Sequence, residues 1–270
     1  MSDVFIHLDG VCVEFPVYNA HGRSLKRALV HMTTGGHLGL DRNDRVVVRA
    51  LEDINLQIEH GDRLALIGHN GAGKTTMLRV LAGVYEPTRG QITSNGRIAA
   101  LSDIMLGIDM ESTGHENISI RGRLLGLSQK EVEKRRDEIA EFSELGDYLN
   151  MPVRTYSSGM VLRLAFAVST CVVPDILLLD EWIGAGDATF LGKAQERLNN
   201  LVGETGILVL ATHSVALAQR VCNRAIWMEH GTIRASGPID EVISAYGMAT
   251  GASPGDLARI PQPAVGEVPA

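Results

Sequence analysis

The sequence predicts an α/β fold built on a mostly parallel sheet. Three apolar runs support this prediction, RLALIG (63–68), DILLLD (175–180) and GILVLATH (206–213), because each is short and bounded by polar or glycine residues. Such continuous runs are typical of strands that are covered on both faces. Of the 270 residues, 45% are apolar and 21% are charged, the balance of an ordinary globular protein with one or two domains.

The composition argues against several classes of protein. The 25 basic and 32 acidic residues give a formal charge of −7, whereas a nucleic-acid backbone binder needs a basic surface. Cys12, Cys171 and Cys222 form no CxxC pair, so neither a zinc site nor a disulfide framework is expected. No apolar run reaches the ~18 residues of a membrane helix, and the N-terminus does not resemble a secretory signal. We therefore expect a cytosolic protein that reaches a membrane only through a partner.

The first hundred residues are expected to be mainly β structure. Residues 4–15 favour a strand pair that turns at an Asp-Gly dipeptide, and residues 46–59 favour a further strand. The intervening insertion, residues 16–45, is rich in glycine, histidine and basic residues, and a short helix is expected over Arg23–His31. QITSNGRIAAL (91–101) is typical of a hairpin around an Asn-Gly turn.

Helical patterns occupy much of the remaining chain. A helix is predicted from Lys74 to Ala82, and residues 112–149 are helical in pattern, with a capping box at Ser128 and Glu131. The other predicted elements are helices at 160–172, 188–201 and 239–246 and strands at 221–229 and 232–235. We expect one domain over 1–247 and a disordered tail over 248–270, which is rich in proline and glycine.

A phosphate loop follows the first buried strand. The residues Gly68, His69, Asn70, Gly71, Ala72, Gly73, Lys74 and Thr75 match G-x-x-x-x-G-K-[ST], and Thr76 follows them in the next helix. Glycines let backbone N–H groups turn inward, and the helix N-terminus adds a positive dipole. Lys74 is expected to reach the β- and γ-phosphates and the Thr75 hydroxyl to bind Mg²⁺. The alternative is a glycine-rich turn without a ligand.

Three polar residues end two other buried strands. Asp180 lies where α/β sheets hold ligands, so its carboxylate is expected to hold Mg²⁺ directly or through water. Glu181 is expected to point to the other side of the strand and to polarise an attacking water. His213 is expected to contact the γ-phosphate and that water. The alternative for each residue is an ordinary polar strand end.

One further motif resembles the signature of the ABC-transporter ATPases, which is usually LSGGQ. It is YSSGM (156–160), in which Ser157 and Gly159 match the second and fourth positions and Arg163 matches the basic residue that follows. With the phosphate loop, ILLLDE, GAGD (184–187) and ATH in the same order, the resemblance covers about residues 4–247.

This resemblance implies a P-loop ABC ATPase domain with a RecA-like core, an antiparallel β subdomain and a helical subdomain at about 105–172. It implies ATP and Mg²⁺ as cofactors, held between two copies of the domain arranged head to tail. Ser157, Ser158 and Gly159 would contact the γ-phosphate on the other copy. Asp187 would lie in a loop that crosses the dimer interface.

Two more site residues are implied by position in the family. Family members normally have a glutamine near residue 103, which binds Mg²⁺ and relays closure to the membrane partner. This chain has Asp103 there, and the alternative is that Asp103 is a plain surface aspartate. Phe15 stands where an aromatic ring stacks on adenine, with a core-strand phenylalanine as the alternative and Tyr18 as the reserve candidate.

Finer features resemble the ATPase subunits of polysaccharide exporters. TGHENI (113–118), the signature and the insertion carry this resemblance, and the short tail implies a form without a C-terminal carbohydrate-binding domain. It implies export of a lipid-linked polysaccharide such as O-antigen by two copies on two transmembrane permease subunits, at the cytoplasmic face of the inner membrane. The alternatives are an ABC ATPase that exports a lipid or drug, a soluble ABC ATPase and a non-catalytic binding module. No nucleic-acid partner is expected.

Overall fold

A computed structural model of the chain describes residues 4–17, 37–40, 46–101, 104–181 and 188–251. These residues divide into two compact units. The first takes its residues from the segments up to Gly96, from Leu178–Glu181 and from Gly206 onward; the second takes them from Arg97–Leu177 and from 188–205.

The described residues form ten strands and seven α-helices. The strands are β1 (Phe5–Pro16), β2 (His37–Leu40), β3 (Val46–Glu59), β4 (Arg63–Ile67), β5 (Arg89–Asn95), β6 (Ile98–Ala100), β7 (Ile176–Asp180), β8 (Ile207–Ala211), β9 (Arg224–Glu229) and β10 (Thr232–Pro238). The helices are α1 (Lys74–Leu81), α2 (Gly114–Leu124), α3 (Gln129–Ser143), α4 (Ser158–Ser169), α5 (Ala188–Glu204), α6 (Val215–Val221) and α7 (Ile239–Thr250). None of these helices is long and apolar enough to span a bilayer.

The first unit contains one antiparallel and one mainly parallel sheet. The antiparallel sheet has the order β2-β3-β1-β5, and alternate residues of β3 such as Ile54, Leu56 and Ile58 are buried. In the other sheet β4 pairs in parallel with β8 and β9, β9 pairs with β10, and the end of β7 lies beside β8. Because β4 and β8 are buried along almost their whole length, their sequences are continuous apolar runs.

Two predicted turns are wrong. Residues 5–16 form a single strand, because Gly10 takes a φ of 57° within an irregularity of the β1–β3 pairing and the strand continues. The Asn95-Gly96 dipeptide does not make a hairpin, since β5 pairs with β1 whereas β6 belongs to the second unit. An Asn-Gly hairpin turn needs positive φ at both residues, and here only Gly96 has it.

The second unit is mainly helical. The predicted capping box at Ser128 and Glu131 is confirmed, and a second box at Thr113 and Glu116 starts α2. Strand β6 runs beside the start of β7, where the Ile176 N–H donates to the carbonyl of residue 97 at 3.0 Å. The buried core of α2, α3 and α4 includes Ile118, Val132, Ile139, Leu164 and Val168.

Several element ends differ from the predicted ones. The last helix reaches Thr250, because Gly251 rather than Gly247 takes the left-handed φ, 67°, that ends a helix. The described chain is therefore helical beyond the predicted start of the tail at residue 248. Strand β2 within the insertion was not predicted, and the expected helix over Arg23–His31 lies outside the described residues.

Asn117 is a fully buried polar side chain in the second unit. Its Oδ1 accepts from the Asp109 N–H at 2.8 Å, and its Nδ2 donates to the carbonyls of Asp109 at 2.8 Å and Thr113 at 3.0 Å. It therefore ties the loop before α2 to the first turn of that helix.

Replacing Asn117 by Ala is expected to lower the free energy of unfolding by about 2–3 kcal/mol, because buried backbone groups lose their partners. A urea titration followed by circular dichroism measures the change. The matched control Asn200→Ala, at an exposed position of α5, should change it by less than about 0.5 kcal/mol. Equal effects of the two substitutions would contradict this account of Asn117.

Candidate functional site

The phosphate loop between β4 and α1 is shaped by two glycines in close contact with other strands. Gly68 has a φ of 147°, and a Cβ added there would lie 2.2 Å from the carbonyl oxygen of Met228 in β9. Gly73 has a φ of 105°, and a Cβ there would lie 2.9 Å from the carbonyl oxygen of Ala50 in β3. Only glycine fits such positions, so the loop takes its course from both sheets of the first unit.

Lys74 turns its amine back over the loop. Its Nζ donates to the carbonyls of Gly68 at 2.7 Å and His69 at 3.1 Å, and the residue is 8% exposed. Burial lowers the pKa of Lys74 from its ordinary value, whereas the charges of Asp180 and Glu181 raise it. The two carboxylates therefore favour the ammonium form, which is the form that binds phosphate.

Thr75 and Asp180 place two oxygen donors beside Lys74. The Thr75 hydroxyl donates to Oδ2 of Asp180 at 2.8 Å. A hydroxyl and a carboxylate are the hard oxygen ligands that Mg²⁺ prefers, so this donor pair fits the ion. Asp103, expected as a further ligand, and Asp187 both lie outside the described residues.

Glu181 leaves β7 in a left-handed conformation. Its φ is 66°, and its N–H donates to the carbonyl of Ala211 in β8 at 2.8 Å. The side-chain alternation of a strand therefore does not apply to it, because β7 ends at Asp180. Its Oε1 lies 3.6 Å from Nε2 of His213, and both side chains are open to water. A left-handed glutamate costs about 1 kcal/mol, a strain that is often kept at functional sites.

A cavity of about 400 Å³ opens over these residues. Besides Lys74, Thr75, Asp180 and His213, the phosphate-loop residues Asn70, Gly71 and Gly73 and the helix residue Thr76 line it. Strand β3 adds Val48 and Ala50. These two residues were not predicted, because nothing in an apolar strand indicates which strand edge will face a loop.

The predicted adenine-binding residue lies close to this cavity in the antiparallel sheet. Phe15 pairs with Val48, is 37% exposed and meets the ring of Tyr85 edge-on at a centroid distance of 5.2 Å. Tyr85 was not predicted as a neighbour, since the two residues are distant in sequence. The reserve candidate Tyr18 lies outside the described residues.

His69 and Ala72 serve the loop mainly through their backbones. Ala72 is buried, and its carbonyl accepts from the Gly231 N–H at 3.0 Å, while the His69 carbonyl accepts from Lys74. The imidazole of His69 instead meets that of His230, with the ring centroids 5.0 Å apart. The sequence held no signal for this contact.

The signature lies in the second unit at the start of α4. Ser157 is the N-cap of this helix, and its Oγ accepts a backbone N–H of the first turn at 3.2 Å. Ser158 is exposed, and a Cβ added at Gly159 would meet only the Ser157 Oγ, at 3.9 Å. Tyr156, which stands where the family usually has leucine, is buried. Its hydroxyl donates to the carbonyl of Tyr148 at 2.6 Å, so the buried polar group has a hydrogen-bond partner.

A phosphate loop followed by a strand-end Asp180-Glu181 pair and by His213, with an antiparallel sheet and a helical unit, defines the ATP-binding cassette class. The profile of the family described as "ABC transporter" matches residues 51–184. The chain is 46% identical to the O-antigen export system ATP-binding protein RfbE of Yersinia enterocolitica, over 83% of this chain and 93% of that protein. It therefore belongs to the ABC transporter family, among its ATP-binding proteins.

Other relatives and solved structures agree with this assignment. The chain is 37% identical to the O-antigen export system ATP-binding protein RfbB of Klebsiella pneumoniae (90% and 98% of the two chains). It is 34% identical to the teichoic acids export ATP-binding protein TagH of Listeria innocua (83% and 70%). An ATP-binding subunit of an ABC transporter shares its fold with a TM-score of 0.66 at 24% identity, over 94% and 97% of the two chains. A dimeric post-hydrolysis ATP-binding cassette bound to ADP and Pi has a TM-score of 0.62 at 20% identity (87% and 98%). The predicted fold class is thus confirmed.

Replacing Lys74 by Ala is expected to weaken ATP binding by about 10–100-fold, because the phosphates lose a charge-assisted donor. Titration with a fluorescent ATP analogue measures this affinity. Lys130→Ala, at an exposed position of α3, is the matched control and should bind normally. Unchanged binding by the Lys74 variant would remove Lys74 from the site.

Proposed function

We propose that this chain is the ATP-hydrolysing subunit of an exporter that moves a lipid-linked polysaccharide across the inner membrane. The observation that carries the proposal is the grouping of Lys74, Thr75, Asp180 and His213 about one cavity, with Glu181 3.6 Å from His213. The names of the relatives, which concern export of O-antigen and teichoic acids, support the polysaccharide as the exported substrate.

In this proposal the first unit holds the triphosphate and activates water. Lys74 and the loop N–H groups bind the β- and γ-phosphates, and Thr75 and Asp180 would hold Mg²⁺, which neutralises phosphate charge when bound. Glu181 accepts a proton from water as the water oxygen bonds to the γ-phosphorus and the bond to the ADP oxygen breaks. His213 lies 3.6 Å from Glu181 and is placed to donate to the departing phosphate.

We infer that a second copy of the chain completes the site with Ser157, Ser158 and Gly159. Gly159 supports this inference, because its φ is not left-handed and a Cβ there has open space. The fold of one chain therefore does not require glycine at this position, whereas the close approach of a phosphate would. A dimeric cassette bound to ADP and Pi shares the fold.

The proposed assembly places two copies on two transmembrane permease subunits at the cytoplasmic face of the inner membrane. Closure of the two copies around ATP would drive the permease, and the polysaccharide would contact the permease. Phe15 is proposed to stack on adenine, since its ring is partly exposed beside Val48 of the cavity wall.

Replacing Glu181 by Gln is expected to preserve ATP binding and to lower turnover by ~10²-fold or more, because the amide cannot accept the proton of the attacking water. Phosphate release by the purified chain and export of polysaccharide in cells that carry only this variant measure the two consequences. Phosphate release and export should be lost together. Lost export with normal phosphate release would separate Glu181 from hydrolysis, and normal export would contradict the motor role.

Replacing Gly159 by Asp is expected to block ATP-dependent pairing of two chains, because a carboxylate would face the partner's γ-phosphate in a closed interface. ATP affinity of the isolated chain should barely change, since in this proposal the signature serves the nucleotide bound to the other copy. Gly159→Ala adds bulk without charge and should weaken pairing less than Gly159→Asp. Both variants should fold normally, because a Cβ at this position meets only the Ser157 Oγ, at 3.9 Å. Loss of ATP binding by the isolated Asp variant would contradict the shared site.

A further inference from the structure

Glu144 is a glutamate in a conformation that favours glycine. It is the C-cap of α3, with φ 55° and ψ 30°. At such a helix end glycine is the common residue, because a side chain strains the left-handed backbone. A glutamate at a position that favours glycine suggests that its side chain has a function.

The carboxylate of Glu144 joins two helices of the second unit. Its Oε2 lies 3.4 Å from a guanidinium nitrogen of Arg163 in α4, and its Oε1 accepts from Nζ of Lys193 in α5. The hydrogen bond from Lys193, with the charges of Lys193 and Arg163, holds the pKa of Glu144 below its ordinary value. The carboxylate is therefore ionised at neutral pH and attracts both cations.

An aromatic cluster packs against the Arg163 end of this bridge. The Arg163 guanidinium stands over the ring of Phe190 at 5.1 Å, and Phe190 is 2% exposed. Phe142 and Phe166 flank that ring at centroid distances of 5.7 and 6.0 Å. Because these rings come from α3, α4 and α5, the carboxylate and the ring contacts together set the relative position of α4 and α5.

We propose that Glu144 is a positioning residue that holds the signature at the start of α4 in register for the second copy of the chain. Helix α4 begins at Ser158, within the signature. One carboxylate thus links the helix that starts at the signature to α5. The inference rests on the proposed shared nucleotide site.

The bridge is not expected to act through stability. Exposed ion pairs contribute little to unfolding, because water and salt screen them. Replacing Glu144 by Gly also relieves the left-handed strain, so the melting temperature of this variant should stay unchanged or rise. A purely structural role predicts the opposite sign, and this difference separates the two explanations.

The test uses the full chain with Glu181→Gln, which is expected to form a stable ATP-bound dimer. Adding Glu144→Gly or Lys193→Gln should raise the dissociation constant of this dimer by about tenfold in analytical ultracentrifugation. The two changes together should do no more than Glu144→Gly alone, because that change already removes the contact with Lys193. ATP affinity of the monomer should not change. Glu133→Gln, which removes an exposed pair with Arg136 on α3, is the matched control and should dimerise normally.

The outcomes separate this inference from the proposal beneath it. A normal dimer in the Glu144→Gly chain overturns the positioning role while leaving the shared site in place. A lower melting temperature with proportional loss of ATP binding also overturns it, in favour of a structural role. An absence of any ATP-dependent dimer in the parent chain overturns the shared site and this inference together.

Discussion

The close approach of Gly68 to the backbone of Met228 is the constraint on which the site depends. Because no side chain fits between β4 and β9 at this point, the chain must leave β4 in a conformation open only to glycine. The loop that follows is then held by the amine of Lys74, which donates to two of its carbonyls. Lys74 in turn lies near the carboxylates of Asp180 and Glu181, which the end of β7 beside β8 places there.

Left-handed glutamates serve two different purposes in this chain. Glu181 turns out of β7 and approaches His213 in the first unit, whereas Glu144 turns out of α3 and reaches Arg163 and Lys193 in the second. Each glutamate directly follows the last residue of its strand or helix. Its left-handed backbone directs the carboxylate to a position that a regular strand or helix would not allow. Each left-handed glutamate costs about 1 kcal/mol. This is small beside the free energy of unfolding of a domain, but a residue without a function would not be expected to keep such a strain.

Local patterns predicted the buried elements well and the chain reversals badly. The runs at β4, β7 and β8 are apolar because both faces of these strands are covered, and this property is visible in sequence. The dipeptides at Asp9-Gly10 and Asn95-Gly96 carried equally strong turn signals. A glycine with positive φ, however, suits a bulge or a crossing between sheets as well as a hairpin, and only strand pairing decides among them.

The sequence by itself predicted the phosphate loop and the Asp180-Glu181 pair, because each is a short run of residues whose chemistry depends on adjacent positions. It predicted the roles of His213 and the signature through their resemblance to the family, since these motifs follow one another in the family's order. Only the tertiary structure decided which distant groups complete them. Val48 and Ala50 in the cavity wall, Tyr85 against Phe15, and Glu144 between Arg163 and Lys193 are such groups. The physical reason is that these contacts join residues far apart in the chain, and their distances follow from strand register and helix packing rather than from spacing along the sequence.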